Sequence, residues 1–539
     1  MFNQGFNFCK RKFAVGDVFG LFGLIISRIY DQCCRCMLLN QETLRLVFGL
    51  KLKGLRLDRG LSLKELAKKT GLSPSYLNEI EKGKKYPRTE KILILADALN
   101  EKLEDLISLE LKKELKLIQN LIDKKIFSGM PFDIFGIPSV TIFELIAEHP
   151  KRMQALVGTL IELARAHSID VDDLLYALLR SYLDMHNNYF PSIEEKARAA
   201  EKEFKISIHA DLNQLKSELL NILTNKFKVD VLTECDFNEI SKDISELDFF
   251  LVDNQKKLVI SKYVSDKDLV FILAREIGYR YLSVKTRPIT SLAVQLDSFE
   301  QLFNHFSASY FASSLLIPEI EIRSALETLF AKKSWSHSQF LQTVNGFNCT
   351  IESFFHRMTQ VLPKNFDLGQ LFYLRYEYDL MTKKYQVSRE LHLSSLHSPH
   401  KVKGHEHYCS RWLIHQLTLK RMNTDVEPIL GIQHSSYVKS DNEYLVIAAS
   451  FKKQPDSRKI SCVCMGLLNG ESVRKKIAFL NSPEIPVVQV GETCERCTLA
   501  NCQDRKADYD QVLNPNRNIE IIQKVSELDS SVLSLLKKT

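Results

Sequence analysis

Three cysteines close together near the carboxyl end could bind one metal ion or cluster. They are Cys494, Cys497 and Cys502, in the pattern C-x-x-C-x4-C. Thiolates at such short spacing are typical ligands of iron–sulfur clusters and of zinc, and Cys409, with His405 and His407 nearby, is a candidate for the fourth ligand. The alternative is a redox-sensitive or structural group of cysteines that holds no metal. Because three thiolates lie within nine residues, the spacing favours metal or cluster binding.

A second set of side chains could contact nucleic acid. Candidates for contact with base edges lie near the start of a predicted short helix, where a DNA-reading helix enters the major groove. They are Ser73, Ser75, Tyr76 and Asn78. Candidates for contact with phosphates, which position a protein on the duplex without reading its sequence, lie on either side. They are Ser62, Lys64, Lys82, Lys84 and Lys85.

Helix-boundary signals predict that these side chains lie on two short helices joined by a tight turn. Ser62 is a cap for the first helix, and Glu65 three residues later completes a capping box. Gly71 ends that helix because glycine accepts the left-handed conformation of a tight exit. Ser73 caps the second helix, and Pro74 follows at the first helical position, where a missing N–H costs nothing.

Positive charge is concentrated in the same segment. Residues 44–91 contain 13 Lys and Arg against 5 Asp and Glu, a net charge of +8, whereas the whole chain carries +7. A localised basic surface attracts phosphates, and binding through it weakens as salt rises. The alternative is a basic face that is merely solvated. Glu79 and Glu81 are not expected to contact DNA, and one of them is expected to hold a neighbouring lysine.

The turn resembles the helix-turn-helix of the Cro and phage-repressor class, the XRE family. The resemblance covers roughly residues 43–107 and rests on A-x-x-x-G-L-S at 67–73, I-E-x-G at 80–83 and Pro87. A helical bundle of another kind could share the periodicity but would not need this turn. The resemblance implies an all-α domain that binds double-stranded DNA, with a homodimer on an inverted-repeat operator.

The sequence R-E-I-G-Y at 275–279 lies on a predicted helix that comes after three predicted strands. This arrangement resembles the ImmA/IrrE-like zinc peptidase domain, whose helix carries H-E-x-x-H, with two zinc-binding histidines and a glutamate as general base. Here Arg275 and Tyr279 replace the histidines, and only Glu276 remains. Arginine cannot bind zinc because its guanidinium stays protonated. A structural ion pair of Glu276 with Arg275 or Arg280 is therefore the preferred role.

The third zinc ligand of that family is typically a carboxylate in a following helix. The segment FASSLLIP at 311–318 resembles that region and places His305 at the carboxylate position. One histidine and one glutamate do not supply the three protein ligands of a catalytic zinc site. We therefore expect a degenerate, zincin-like α+β domain with no catalytic zinc, and a protein that is not an enzyme.

The combination of these two regions resembles the bacterial family of short-chain fatty acyl-CoA responsive regulators. The segments that carry this resemblance are LAREIGYRYL and NHFSASYFASSLLIP, and it extends from about residue 41 to 510. It implies a transcription factor with a small-molecule effector, an acyl-CoA. Two alternatives remain: an ImmA/IrrE-type metallopeptidase that acts on a repressor, and an antitoxin-like protein that regulates its own operon by binding DNA.

The carboxyl-terminal part is predicted to be an α+β, sensor-like domain. Alternation of apolar and polar residues indicates a half-buried strand at 372–379, with a hairpin partner at 385–393. Further strands are predicted at 443–451, 459–468 and 473–480, with a helix at 411–419. Cys462 and Cys464 lie in one of these strands, where we interpret them as small buried apolar residues.

Length and composition set the remaining expectations. A chain of 539 residues accommodates roughly three or four domains. No apolar run approaches the ~20 residues of a membrane helix. A DNA-binding module predicts a cytoplasmic protein, whose cysteines remain reduced and form no disulfide framework. Residues 1–36 fit poorly with the remainder of the chain, and we expect translation to start at Met37.

The predicted organisation is multidomain and mainly helical. Its segments are an extension at 1–40, the helix-turn-helix domain at 41–110, a helical linker or dimerisation region at 111–225, the ImmA/IrrE-like domain lacking zinc ligands at 226–365, the sensor-like domain with the cysteine cluster at 366–510, and a tail with a short helix at 511–539.

Overall fold

A computed structural model describes most of the chain. The described residues are 44–108, 135–136, single residues between 152 and 162, 171–240, 244, 247–291, 298–393, 406–424, 428–438, 442–452, 458–499, 501–507 and 521–527. The chain divides into two compact units, Met1–Ile169 and Asp170–Thr539. The predicted extension at 1–40 lies outside the described residues, as does the helical pattern at 109–126.

The described part of the first unit is a small helical bundle. Its helices are α1 (44–58), α2 (Leu63–Thr70), α3 (Pro74–Glu81), α4 (Thr89–Ala98) and α5 (Leu103–Ile107). Leu52, Leu66, Leu77 and Leu95 are fully buried in a shared core, so four of the helices pack an apolar face inward. The expectation of a helical amino-terminal domain is confirmed.

The second unit begins with helices that occupy the end of the predicted helical region. They are α6 (Val171–Met185), α7 (Pro191–Phe204) and α8 (Leu212–Asn221), which continues into a π-helical turn at Ile222–Lys226. Glu194 of α7 forms a buried ion pair with Arg357, at 2.6 Å. Tyr310 and Ser314 also donate hydrogen bonds to this carboxylate, so it links three helices.

A three-stranded sheet comes next, in the order β1-β3-β2. Its strands are β1 (Asp230–Cys235), β2 (Phe249–Val252) and β3 (Lys257–Ser261), with the short helix α9 (Phe237–Ile240) after β1. Three strands were predicted ahead of the helix that carries R-E-I-G-Y, and the structure has three strands there. Strands β1 and β3 are parallel, whereas β2 and β3 are antiparallel.

Two long helices lie beyond this sheet in the chain, α10 (Asp266–Tyr281) and α11 (Phe299–Leu316). They approach closely at Gly278, because a side chain there would lie 2.8 Å from the ring of Phe311. Three further helices precede the second sheet. They are α12 (Glu319–Phe330), α13 (His337–Asn345) and α14 (Ile351–Phe366).

The second sheet has six strands in the order β5-β4-β8-β7-β6-β9. The strands are β4 (Leu371–Asp379), β5 (Lys384–His392), β6 (Ile429–Tyr437), β7 (Glu443–Phe451), β8 (Lys459–Leu468) and β9 (Val487–Val490). Helix α15 (Leu413–Met422) packs its apolar residues against this sheet, and together they form one hydrophobic core. The described elements also include α16 (Glu471–Lys476) and α17 (521–527).

Two predictions about this sheet are wrong, and one of its strands was not predicted. Strand β4 is not half-buried, because it lies between β5 and β8 and its first six residues are buried on both faces. The predicted strand at 473–480 is wrong, since α16 occupies residues from Glu471 to Lys476. Strand β6 was not predicted. Cys462 and Cys464 are buried in β8, as interpreted from the sequence.

Among the described residues, no helix is both long and apolar enough to cross a membrane.

Candidate functional site

Hydrogen bonds at the helix ends hold the predicted turn of the first unit. The Ser62 hydroxyl accepts from the Glu65 amide at 3.2 Å, and the Glu65 carboxylate accepts from the Ser62 amide at 2.7 Å. This is the predicted capping box. Gly71 ends α2 with φ at 68°, in the left-handed region. The Ser73 hydroxyl accepts from the Tyr76 amide at 3.2 Å and caps α3.

The predicted base-contact residues lie at or near the start of α3. Ser73, Ser75 and Asn78 are exposed, and Tyr76 is half-buried. Ser75 and Asn78 lie three residues apart and therefore share one helix face. The hydroxyl of Ser73 accepts the capping hydrogen bond and still has its O–H and one lone pair for DNA. This set offers two exposed hydroxyls and one exposed amide to an approaching duplex.

The predicted phosphate-contact residues surround that face in sequence. Ser62, Lys64, Lys84 and Lys85 are exposed, and Lys82 is half-buried. Glu79 holds Lys85 at 2.8 Å, which confirms that one of the two glutamates holds a lysine. The hydrogen bond to Glu79 raises the pKa of Lys85, so this lysine remains charged.

Two contacts of the bundle were not predicted. The Arg56 guanidinium donates two hydrogen bonds to the buried Glu81, at 2.6 and 2.9 Å. This pair ties α1 to the end of α3. Lys91 lies over the ring of Tyr76, with Nζ 4.2 Å from the ring centroid. Neither pair produces a local sequence pattern, because the partners are 25 and 15 residues apart in the chain.

Comparison with known proteins agrees with this geometry. The family model for the helix-turn-helix matches residues 52–106. These residues form a helix-turn-helix domain. Such domains bind DNA through the second helix of the turn, which here is α3. The match covers about a tenth of the chain and leaves the second unit outside it.

A transcriptional regulator from Mycobacterium tuberculosis is similar in structure, with a TM-score of 0.43 and 15% sequence identity. The similarity covers 62% of this chain and 94% of that chain. A resemblance this slight carries no argument about function. No curated protein matches the sequence.

The structure brings Cys409 to the segment that carries Cys494 and Cys497. The Cys409 amide donates to the Glu492 carbonyl at 3.0 Å, and the Cys494 amide donates to the His407 carbonyl at 2.8 Å. All three thiols are buried. Burial raises the pKa of Cys409 to about 11, and the nearby Cys494 and Cys497 act in the same direction.

Backbone amides surround two of these sulfur atoms. The Gly491 amide donates to Sγ of Cys409 and the Lys506 amide donates to Sγ of Cys494, each at 3.4 Å. A side chain at Gly491 would lie 2.9 Å from Sγ of Cys497, so only glycine leaves room for that sulfur. Buried thiols with amide donors are chemically suited to soft metals and iron–sulfur clusters.

Cys502 is half-buried, and the loop around it is held by Arg505. The Arg505 guanidinium donates to the carbonyls of Cys494, Cys497 and Leu499. His407, which is near Cys409 in the sequence, is paired with Glu495 at 2.8 Å, and His405 lies outside the described residues. Within the described ranges, no three or more His, Cys, Asp or Glu side chains are placed so that they could hold a metal ion.

The positions that resemble a zinc site lie together in the second unit. Tyr279 of α10 and His305 of α11 are hydrogen-bonded, with 2.6 Å between Oη and Nδ1. Glu276 is buried and pairs with Arg280, one of the two predicted partners, and with Arg287 at 2.5 Å. The guanidinium of Arg275 instead lies over the rings of Phe249 and Phe271.

This arrangement supports ion pairing and hydrogen bonding, and Arg275 and Tyr279 hold the positions of the two zinc-binding histidines of the peptidase motif. Both carboxylate oxygens of Glu276 accept hydrogen bonds from guanidinium groups. A carboxylate in that state cannot act as a general base toward water without losing a buried ion pair.

Proposed function

We propose that this protein is a sequence-specific, DNA-binding transcriptional regulator. The observation that carries the proposal is the capped α2–turn–α3 pair, which presents Ser75 and Asn78 from the start of α3 within a segment of net charge +8. The match of residues 52–106 to the helix-turn-helix family supports it. Base edges are read from α3, and the surrounding lysines bind phosphates.

The Cro-type turn determines the mode of DNA binding in this proposal. One domain covers one half-site, so two copies of the chain are needed for an inverted repeat, with half-sites about one helical turn apart. The protein therefore acts as a homodimer. The proposed phosphate contacts do not depend on the DNA sequence, whereas the base contacts of Asn78 and Ser75 determine which operator sequence is bound.

The effector in this proposal is a short-chain acyl-CoA that binds the second unit. This part rests on the resemblance of LAREIGYRYL and NHFSASYFASSLLIP to acyl-CoA responsive regulators. A ligand shifts the DNA-binding state only if it binds one arrangement of the protein more tightly than the other. Acetyl-CoA and propionyl-CoA should therefore raise the melting temperature of the purified chain. An unchanged melting temperature with both esters contradicts this part.

We propose that the cysteine segment binds an iron–sulfur cluster or zinc. Cys409 and Cys497 are buried on either side of Gly491, Cys494 is buried in the same segment, and Cys502 follows on the same loop. Anaerobic purification followed by visible absorption, iron, sulfide and zinc assays tests the proposal. A cluster should colour the protein, and the colour should be lost in Cys497→Ala. A colourless protein with stoichiometric zinc indicates the structural site, and the absence of all three elements contradicts both.

The protein is not an enzyme in this proposal. The peptidase alternative would need a zinc site at positions that hold Arg275 and Tyr279, and the hydrogen bond between Tyr279 and His305 fills that place. The antitoxin-like alternative needs only the first unit. It does not account for a second unit of 370 residues, Asp170–Thr539.

Mapping of bound DNA tests the proposed function directly. Immunoprecipitation of the full chain from its own cells should enrich a limited set of fragments that share an inverted repeat. Fragments spread evenly over the genome would contradict sequence-specific binding. The genes beside the enriched fragments would also indicate the effector.

A further inference from the structure

Two lysines from outside α3 approach the aromatic ring of Tyr76. The ring is half-buried and packs against the apolar core of the helical bundle. Lys91, in the first turn of α4, places Nζ 4.2 Å from the ring centroid. Lys85, in the segment between α3 and α4, places Nζ 6.0 Å from the same centroid. The ring therefore connects α3 with the segment that follows it and with the start of α4.

The two lysines differ in what holds them. Lys85 also pairs with the carboxylate of Glu79 at 2.8 Å, so its charge is partly offset. The contact of Lys91 with Tyr76 leaves the charge intact, because an aromatic ring has no net charge and attracts a cation through its quadrupole. A cation in the first turn of a helix also gains nothing from the helix dipole. Lys91 therefore keeps a full charge for an anion and is not placed there to stabilise α4.

The position of Tyr76 on α3 places this lysine beside the face proposed to read bases. Ser75 and Asn78 share that face, whereas residues two apart, such as Tyr76 and Asn78, do not face each other on a helix. Glu79, three residues after Tyr76, lies on the same side of the helix as the ring. A helix that enters the major groove has the phosphate backbone along its flanks. Nζ of Lys91 therefore lies on a flank of α3, where a phosphate would pass.

We propose that Tyr76 is a positioning residue for DNA binding, whose ring holds the Lys91 ammonium beside α3 so that it binds a phosphate of the duplex. The inference deepens the proposed function and rests on DNA binding through α3. A lysine side chain loses many rotamers when it is fixed on a partner, and this loss opposes binding. The ring orders Lys91 before DNA arrives, which reduces that loss. In this role the ring acts and the hydroxyl does not, unlike the base contact predicted from the sequence.

Titration of the full chain with a mixed-sequence DNA duplex tests the phosphate contact. Fluorescence anisotropy over a range of salt concentrations gives the binding constant, and a mixed sequence is sufficient because a phosphate contact does not depend on the bases. Lys91→Gln should reduce the slope of log K against log salt by about 0.9. Arg323→Gln is the control for net charge, because it breaks only an exposed pair with Glu327 in the second unit and should leave the slope unchanged.

Two variants of Tyr76 separate positioning from a structural role. Tyr76→Leu keeps an apolar side chain against the core but has no ring, and it should weaken binding about two- to fivefold, the strength of an exposed lysine–ring contact. Tyr76→Phe keeps the ring and should retain the binding that Tyr76→Leu loses. In a Lys91→Gln background, Tyr76→Leu should have no further effect, because the lysine that the ring holds is gone.

Three results overturn the inference: a wild-type slope in Lys91→Gln, equal weakening by Tyr76→Leu with and without Lys91, or weakened binding in Tyr76→Phe. The last would show that the hydroxyl contacts DNA. If circular dichroism shows that Tyr76→Leu does not fold, Lys91→Gln and Tyr76→Phe decide the question. Folded wild-type protein that does not bind the duplex contradicts the proposed function itself, whereas duplex binding that does not depend on Lys91 contradicts this inference alone.

Discussion

Glu81 is a single residue on which the position of α3 depends. Its side chain is buried, and both carboxylate oxygens accept hydrogen bonds from Arg56. Arg56 also donates to the Leu61 carbonyl at 2.7 Å, just before α2 begins. The same guanidinium therefore connects α1, the start of α2 and the end of α3. A buried pair of this kind fixes geometry more than it adds stability.

Removal of one partner from this pair should be costly. Glu81→Gln leaves the buried Arg56 charge uncompensated and should lower the free energy of opening of residues 44–108 by about 3–5 kcal/mol. Hydrogen–deuterium exchange of peptides from that range measures the change. Glu79→Gln is the control, because it breaks only the exposed pair with Lys85, which solvent screens, and should cost far less. Equal losses in the two variants would contradict this role of Glu81.

Substitutions of Asn78 and of Lys84 should weaken DNA binding in different ways. Asn78→Ala should weaken binding to the operator by about 1–3 kcal/mol and leave binding to random duplex unchanged, because it removes a base contact. Lys84→Ala should weaken both and reduce the slope of log K against log salt by about 0.9, because it removes a phosphate contact. Fluorescence anisotropy over a range of salt concentrations measures both quantities. A uniform effect of Asn78→Ala on all sequences would exclude it from base reading.

Two buried histidines should make the second unit sensitive to acid. Burial lowers the pKa of His356 to about 4 and that of His415 to about 3. The unfolded chain binds protons at these histidines below about pH 6.5, whereas the folded chain does not. Stability is therefore complete above that pH and falls as the pH drops toward the folded values.

Proton uptake by each of these histidines in the unfolded chain should lower the free energy of unfolding by about 2 kcal/mol between pH 7 and pH 5. Urea denaturation at the two pH values, followed by tryptophan fluorescence, measures the loss. His415→Phe should reduce the loss, whereas His209→Gln, at an exposed ring, should leave it as it is. The same loss in His415→Phe and in the wild type would show that His415 is not responsible.

At the scale of elements, the sequence predicted the helix ends and the hairpin that are determined by residues close together in the chain. The capping box of Ser62 and Glu65 and the glycine exit at Gly71 involve contacts within a few residues. The hairpin of β4 and β5 was predicted from alternation over a short span. Such patterns are readable because the physical cause lies within one or two turns of chain.

Elements that depend on distant partners were missed. Strand β6 carries Gln433, His434 and Ser435 at buried positions, so it shows no apolar alternation. Its polar groups are buried because they find partners far along the chain, such as the Leu480 carbonyl 2.8 Å from Nε2 of His434. The pair of Arg287 with Glu276 and the contact of Lys91 with Tyr76 were not predicted, for the same reason.

The α10–α11 pair leads to a prediction about chemistry. Because Glu276 is held by two arginines and Tyr279 occupies a histidine position, the purified chain should show no zinc-dependent proteolysis. Incubation with zinc and a mixture of protein substrates, followed by mass spectrometry, measures this. Metal-dependent self-cleavage that Glu276→Gln abolishes would contradict it. A matched exposed variant, Glu327→Gln, controls for effects of charge alone.

At the scale of the whole molecule, two compact units divide the proposed work. Unit Met1–Ile169 contains the helix-turn-helix domain, and unit Asp170–Thr539 contains both sheets and the buried cysteines. The basic charge belongs to the first of these, since residues outside 44–91 sum to −1. Such a division suits a regulator in which one part binds DNA and the other binds a ligand.

Competition between genomic fragments and random duplex measures the central proposal most directly. The full chain is incubated at moderate ionic strength with genomic fragments in an excess of random duplex, and the bound DNA is sequenced. The proposal predicts strong enrichment of a few fragments with an inverted repeat, lost in the double variant Ser75→Ala and Asn78→Ala while the variant remains folded. Folded wild-type protein that retains genomic and random DNA equally would contradict it.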